Sequence, residues 1–139
     1  MRSILSFSLT SSIAFGAALG VIGSQLVIAQ HRTEQRNILV TADLKGIDGY
    51  EIRMWRTDLA PGVAGAKHYH LGTECLYVLE GALDLEKQGE ATAHLKAGDA
   101  HCVPPKTVLL PRNASNTQAY KSLVVMITPK GEPIAVPVQ

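Results

Sequence analysis

The stretch Gly62–Gly81, GVAGAKHYHLGTECLYVLEG, decides how this chain is read. His68 and His70 stand two apart, and residues i and i+2 of a strand project to the same face. Tyr69 then points the other way. Leu71-Gly72-Thr73 has the makeup of a short turn, which brings Glu74 back towards the two imidazoles. Two imidazoles and one carboxylate converging on a point can hold a divalent metal and leave coordination positions open. His-x-His alone is a cheap pattern, and the plain alternative is two surface histidines with a chance acid nearby.

On either side of this stretch the chain is punctuated as an all-β protein. Ile38–Val40 reads as a short strand, and the glycines and aspartate of Lys45–Gly49 as a turn. Tyr50–Leu59 sets Tyr50, Ile52 and Met54 against Glu51, Arg53 and Trp55, the alternation of a half-buried strand. Arg53 and Arg56 read as rim or solvent charges. Ala60-Pro61-Gly62 breaks that strand. Further strands are expected over Lys67–His70, Cys75–Glu80, Ala82–Glu86, Ala91–Leu95, Ala100–Val103 and Thr107–Leu110. Ser122–Thr128, SLVVMIT, is the most hydrophobic and is expected to be central. Pro129–Gln139 carries three prolines and reads as an extended tail lying on the barrel. No segment after residue 30 sustains a helical period. Short strands broken at regular intervals by Gly, Pro, Asn and Asp indicate an all-β sandwich or barrel, of which the double-sheet jelly roll is one form.

Composition sets bounds on function. The chain has 139 residues, 18% of them charged, with a net charge of +1. One domain is expected. With no block of like charge there is no electrostatic footprint for nucleic acid. Residues 1–29 differ from the rest: Arg2 is the only charge before Arg32, an apolar run covers Ile13–Ile22, and Val27-Ile28-Ala29 has the look of a signal-peptidase site. This is the layout of a secretory signal peptide cleaved after Ala29, and the run is short for a membrane span of ~20 residues. The expectation is an exported protein, periplasmic or secreted, of about 110 residues once cleaved, with no stable membrane anchor.

The central stretch also resembles the first signature of the cupin family, Gly-x5-His-x-His-x3 or 4-Glu-x6-Gly, with Gly62, His68, His70, Glu74 and Gly81 filling every fixed position. Residues 30–42 read as an N-terminal arm, polar and loose over His31–Asn37, and the resemblance implies a small antiparallel jelly-roll barrel over 43–139. It also implies a divalent metal (Fe, Mn, Ni or Zn) held inside by His68, His70 and Glu74. A second family signature, Gly-x5-Pro-x-Gly-x2-His-x3-Asn, is met only in part. Gly98, Pro104 and Asn113 are in register, but Lys106 takes the second glycine position and Leu109 that of the histidine, the fourth ligand in the family.

His101 is a candidate to replace that ligand, because on the strand that neighbours Glu74's in the family's jelly roll it would face inward. The alternative is a partly buried histidine bonded to backbone. The same neighbouring strands place Cys75 near Cys102, either as a disulfide in an oxidising compartment or as two small buried residues. His31 and His94 read as surface residues. Asn113-Ala114-Ser115 matches a glycosylation sequon, with chance as the default.

Three functions follow from the resemblance. One is a metal-dependent enzyme, dioxygenase-like or an isomerase or lyase, acting on a small organic molecule, with Glu74 available for proton transfer. Tyr77 and Tyr120 are weaker candidates for a catalytic role. A second is a non-catalytic module whose mouth, lined by Trp55, Leu76 and Leu109, holds a sugar or apolar ligand over a vestigial metal site. The third is an assembly role. A homodimer formed through the sheets is expected, with Tyr77 and Leu79 on the outward strand faces.

Overall fold

The computed structural model describes residues 34–138. The expected signal peptide, its cleavage site and His31 lie outside these residues. Ten strands form two antiparallel sheets. The first has the order β1-β2-β9-β4-β7, from Gln35–Asp43 (β1), Tyr50–Leu59 (β2), Tyr120–Pro129 (β9), Thr73–Glu80 (β4) and Ala100–Val103 (β7). The second has the order β10-β3-β8-β5-β6, from Val136–Pro137 (β10), His68–Tyr69 (β3), Leu109–Asn113 (β8), Ala82–Lys87 (β5) and Ala93–Lys96 (β6). No helix occurs among the described residues, and the two facing sheets make the expected jelly roll.

The core follows from alternation. Along β4, Glu74, Leu76 and Val78 are buried. Along β9, so are Tyr120, Ser122, Val124, Met126 and Thr128. β9 is the middle strand of its sheet, as its composition suggested. These side chains meet Leu83 and Leu85 of β5, Leu109 of β8 and Trp55 of β2. Burying each large apolar side chain contributes roughly 2 kcal/mol relative to leaving it in water. The tail lies on the barrel as expected, with Val136 and Pro137 opposite Tyr69 and His68.

One expectation on β2 is corrected. The inward face is Glu51, Trp55, Thr57 and Leu59, and Tyr50 is exposed. Arg53 is not a rim charge: it pairs with Glu51 on this inner face, and their side chains are only 13% and 6% exposed. The reason is the partner strand. Trp55 sits opposite Val124 and so must face the core, and parity then carries Arg53 and Glu51 inward with it. Arg56 is solvent-facing, paired with Asp58.

The stretch read as an arm with a short strand at Ile38–Val40 instead carries, from Gln35 onward, a nine-residue edge strand on β2. A bulge between Ile38 and Val40 interrupts it. Val40 and Ala42 pair with Met54 and Ile52, on the outward side of β2. Beyond the bulge Arg36 pairs with Thr57, on the inward side. The extra residue resets the parity and turns Arg36 towards the barrel interior.

Candidate metal centre

His68 and His70 lie on and just after β3, and both are 3% exposed. The turn behind them passes so close to β9 that a Cβ on Gly72 would stand 2.0 Å from the carbonyl oxygen of Ile127. Only glycine lets the chain make this approach, which brings Glu74 (7% exposed) back to the histidines. The three residues converge as the sequence suggested. His70 Nε2 is 2.5 Å from Glu74 Oε2 and 3.1 Å from His68 Nε2.

The orientation of each imidazole is fixed from behind. His68 Nδ1–H donates to the Ala66 carbonyl at 2.6 Å, and His70 Nδ1–H to the Ile134 carbonyl at 2.5 Å. With both Nδ1 atoms protonated, both Nε2 atoms are aimed at the shared point, the arrangement that backbone carbonyls impose on metal-binding histidines. The charge states differ. Burial holds His68 below the usual histidine range, the backbone bond to Ala66 opposes that, and the positive charges of His70 and Arg36 reinforce it. It is therefore neutral, and its Nε2 lone pair accepts from Arg36 Nη2 at 3.2 Å. Burial also works against a charged His70, but the hydrogen bond and charge of Glu74 outweigh it and raise the pKa. Without a metal, the proton on His70 Nε2 ties the ring to Glu74.

Among the described residues, no group of three or more His, Cys, Asp and Glu side chains forms a ready-made metal cage. Here the donors are closed onto one another. Ligands 2.1 Å from an ion in octahedral geometry stand about 3 Å apart, which the histidine pair matches and the His70–Glu74 contact falls short of. The donor chemistry fits a divalent ion: two oriented imidazoles and a carboxylate, one proton to be displaced, and half an ångström of opening.

Leu109 lies directly opposite His68 across β3 and β8 and is 3% exposed, so the second signature is correctly aligned there. His101 faces inward, as alternation required, but it pairs with Leu76, one step beyond the Glu74–Val103 pair. It does not line the site's pocket, and its buried Nε2 finds no hydrogen-bond partner among the described residues. Cys75 and Cys102, opposite each other on β4 and β7, form a disulfide.

Lys106, at the motif's second glycine position, adopts φ 63°, the left-handed conformation that glycine would supply, and its N–H donates to the His70 carbonyl at 2.7 Å. The backbone of the degenerate signature is thus retained and still buttresses His70. Asn113 is buried. Its amide donates to the carbonyls of Leu59, Ala60 and Gln118 and its Oδ1 accepts from Ser115 N–H, which leaves nothing for a glycan. His94 is exposed beside Asp84.

A small, partly open pocket lies beside the histidines. Trp55, Leu76 and Leu109 line it as expected, with Leu83 and Leu85 behind them. Tyr120 lines it too, its phenol pushed up to about 12 by burial and therefore neutral, whereas Tyr77 is 47% exposed on the outside. Glu34 and Arg36 also reach it. The sequence reading missed both, because it took His31–Asn37 for a loose arm. The one available signal was an arginine two residues ahead of an apolar run.

The Cupin domain profile matches residues 55–126. Among curated proteins none matches the sequence. Solved structures share the fold at low identity. A cupin-like protein from Thermotoga maritima is 22% identical with a TM-score of 0.61, over 76% of this chain and 75% of that one. A DMSP lyase from Ruegeria pomeroyi is 18% identical with a TM-score of 0.63, over 84% and 57%. An oxalate oxidase, solved with the substrate analogue glycolate, is 24% identical with a TM-score of 0.60, over 79% and 57%. The chain thus spans little more than half the length of the last two. The matched profile covers the first signature with its turn and both of its histidines, and on that ground this chain belongs to the cupin family.

Proposed function

We propose that this chain is an exported cupin in which His68, His70 and Glu74 hold a divalent metal, Fe, Mn, Ni or Zn, and that it is a metal-dependent enzyme, dioxygenase-like or an isomerase or lyase, on a small organic molecule. The observation that carries this is the pair of Nδ1–H···O=C bonds, which commit both imidazoles to present Nε2 lone pairs at one buried point. Without a metal these groups are satisfied by Arg36 at His68 and by the His70 proton at Glu74, and a metal would replace both contacts. The metal, when bound, supplies Lewis-acid or redox chemistry at its open positions. The chain's own residues do the rest. Trp55, Leu76 and Leu109 keep water from the reacting face. Glu74 is placed to hold a proton or pass it on. Tyr120, neutral at working pH, donates a hydrogen bond from the pocket floor.

The relatives named as a lyase and an oxidase support an enzymatic reading of this fold, although fold alone hosts many chemistries. The Cys75–Cys102 bond supports export, since disulfides persist in oxidising compartments. A homodimer is proposed through the outer face of the first sheet, where Tyr77, Leu79 and Ile127 are 42–49% exposed.

The test is to strip the mature protein with chelator, reload it with each of the four metals, and assay phenolic, keto-acid and sugar compounds with and without dioxygen. Stoichiometric metal in wild type, its loss in His68→Ala, and turnover abolished by Glu74→Gln are expected. The closed His70–Glu74 contact favours one rival, a binding module that works without metal. Tight ligand binding that survives chelation, with no turnover of any compound, would establish that rival.

A further inference from the structure

We infer that the ligand of this pocket is a small organic anion, a short-chain carboxylate, gripped through its carboxylate by Arg36. The inference deepens the small-molecule reading above and rests on the pocket, not on the metal. Arg36 belongs to β1, and the bulge between Ile38 and Val40 is what points it inward. Bulges recur where a side chain must be re-aimed at a site. Its Nε–H donates to Glu34 at 2.8 Å, which fixes the plane of the guanidinium. Its Nη2 is directed into the pocket, where the acceptor it meets is the single ring nitrogen Nε2 of His68 at 3.2 Å.

That acceptor is a weak match for a guanidinium. A carboxylate offers two charged oxygens in the fork geometry that arginine favours, and charge-assisted bonds are roughly twice as strong as neutral ones. Exchange of His68 for a ligand carboxylate is therefore favourable, and it frees the Nε2 lone pair of His68. The rest of the pocket specifies the remainder of the ligand. Leu76, Leu83, Leu85, Leu109 and Val124 form an aliphatic wall suited to a short carbon chain. Glu34 and Glu74 line the same cavity, and because their repulsion grows with ligand charge they disfavour a phosphate or a dicarboxylate more than a monoanion.

The experiment uses the chelated mature protein and measures binding of acetate, butanoate and hexanoate against the matching primary amides by calorimetry. Butanoate or hexanoate should bind about tenfold tighter than its amide, the margin between a charge-assisted and a neutral hydrogen bond. Arg36→Gln should erase that preference, and Arg36→Lys, which keeps the charge but not the fork, should retain part of it. Equal affinity for carboxylate and amide, no saturable binding of any carboxylate, or a preference that survives Arg36→Gln would overturn the inference. A metal titration of the same samples separates the two readings. Normal metal binding without carboxylate preference removes this inference alone, and an Arg36-dependent preference in a protein that takes no metal removes the metal centre alone.

Discussion

Removal of the Cys75–Cys102 bond tests the architecture around the site most directly. The two cysteines are 27 residues apart in sequence. A cross-link closing a loop of that length removes unfolded-state entropy equivalent to about 3.5 kcal/mol at 25 °C. For a domain of this size that corresponds to a fall in Tm of roughly 15 °C. Little packing energy confounds the measurement, because Cys75 is half-buried and Cys102 exposed on the outer face. The variant is therefore Cys75→Ala/Cys102→Ala, melted beside wild type with and without reductant. Reduced wild type should melt with the oxidised variant. The site should feel the change, because β7 is an edge strand paired only with β4, and its Val103 sits opposite Glu74. Two titratable thiols in unreduced wild type, or a variant melting within about 3 °C of it, would refute the reasoning.

Three further outcomes are expected. Lys106→Gly, which relieves a left-handed lysine at the cost of a more flexible unfolded chain, should raise stability by roughly 0.5–1 kcal/mol in denaturant melts. Leu109→His, opposite His68, should supply the family's fourth ligand and tighten metal binding, read as a larger metal-dependent rise in Tm than in wild type. Unchanged affinity would mean that position 109 does not reach the metal. The third concerns pH in the metal-free protein. The raised His70 pKa contributes stability that is fully present below about 6.5 and is lost as pH rises through the folded-state value. The Tm advantage of wild type over Glu74→Gln should therefore shrink as pH climbs above 6.5. Metal affinity should rise over the same range, since binding displaces the His70 proton.

How much of this was legible in the sequence depended on whether the relevant signal was local. His68 and His70 share a face because a strand has period two, and Gly72 marked the turn that returns Glu74, so the convergence could be read directly. The disulfide was open between two readings until strand order placed β4 beside β7. Arg53 was misplaced because Tyr50, Ile52 and Met54 are themselves apolar. Which of two alternating faces turns inward is decided by the partner strand, here by Val124 opposite Trp55. Lys106 hid a glycine-like turn, since the left-handed backbone is held here by the bond of its N–H to the His70 carbonyl.

Arg36 marks the limit of such reading. Val40 and Ala42 face outward, and unbroken alternation would carry residue 36 outward with them. A single extra residue in β1 reverses this, and nothing in Ile38-Leu39-Val40 announces it: three β-branched or aliphatic residues look the same with or without a bulge. The irregularity is set by the register against β2, a non-local property. Its effect is to put a guanidinium 3.2 Å from His68, where it competes for the lone pair that a metal would use. The edge strand is thereby part of the site. Variants of β1 that remove the bulge should alter metal and ligand binding at His68 while leaving both histidines, Glu74 and their backbone supports in place.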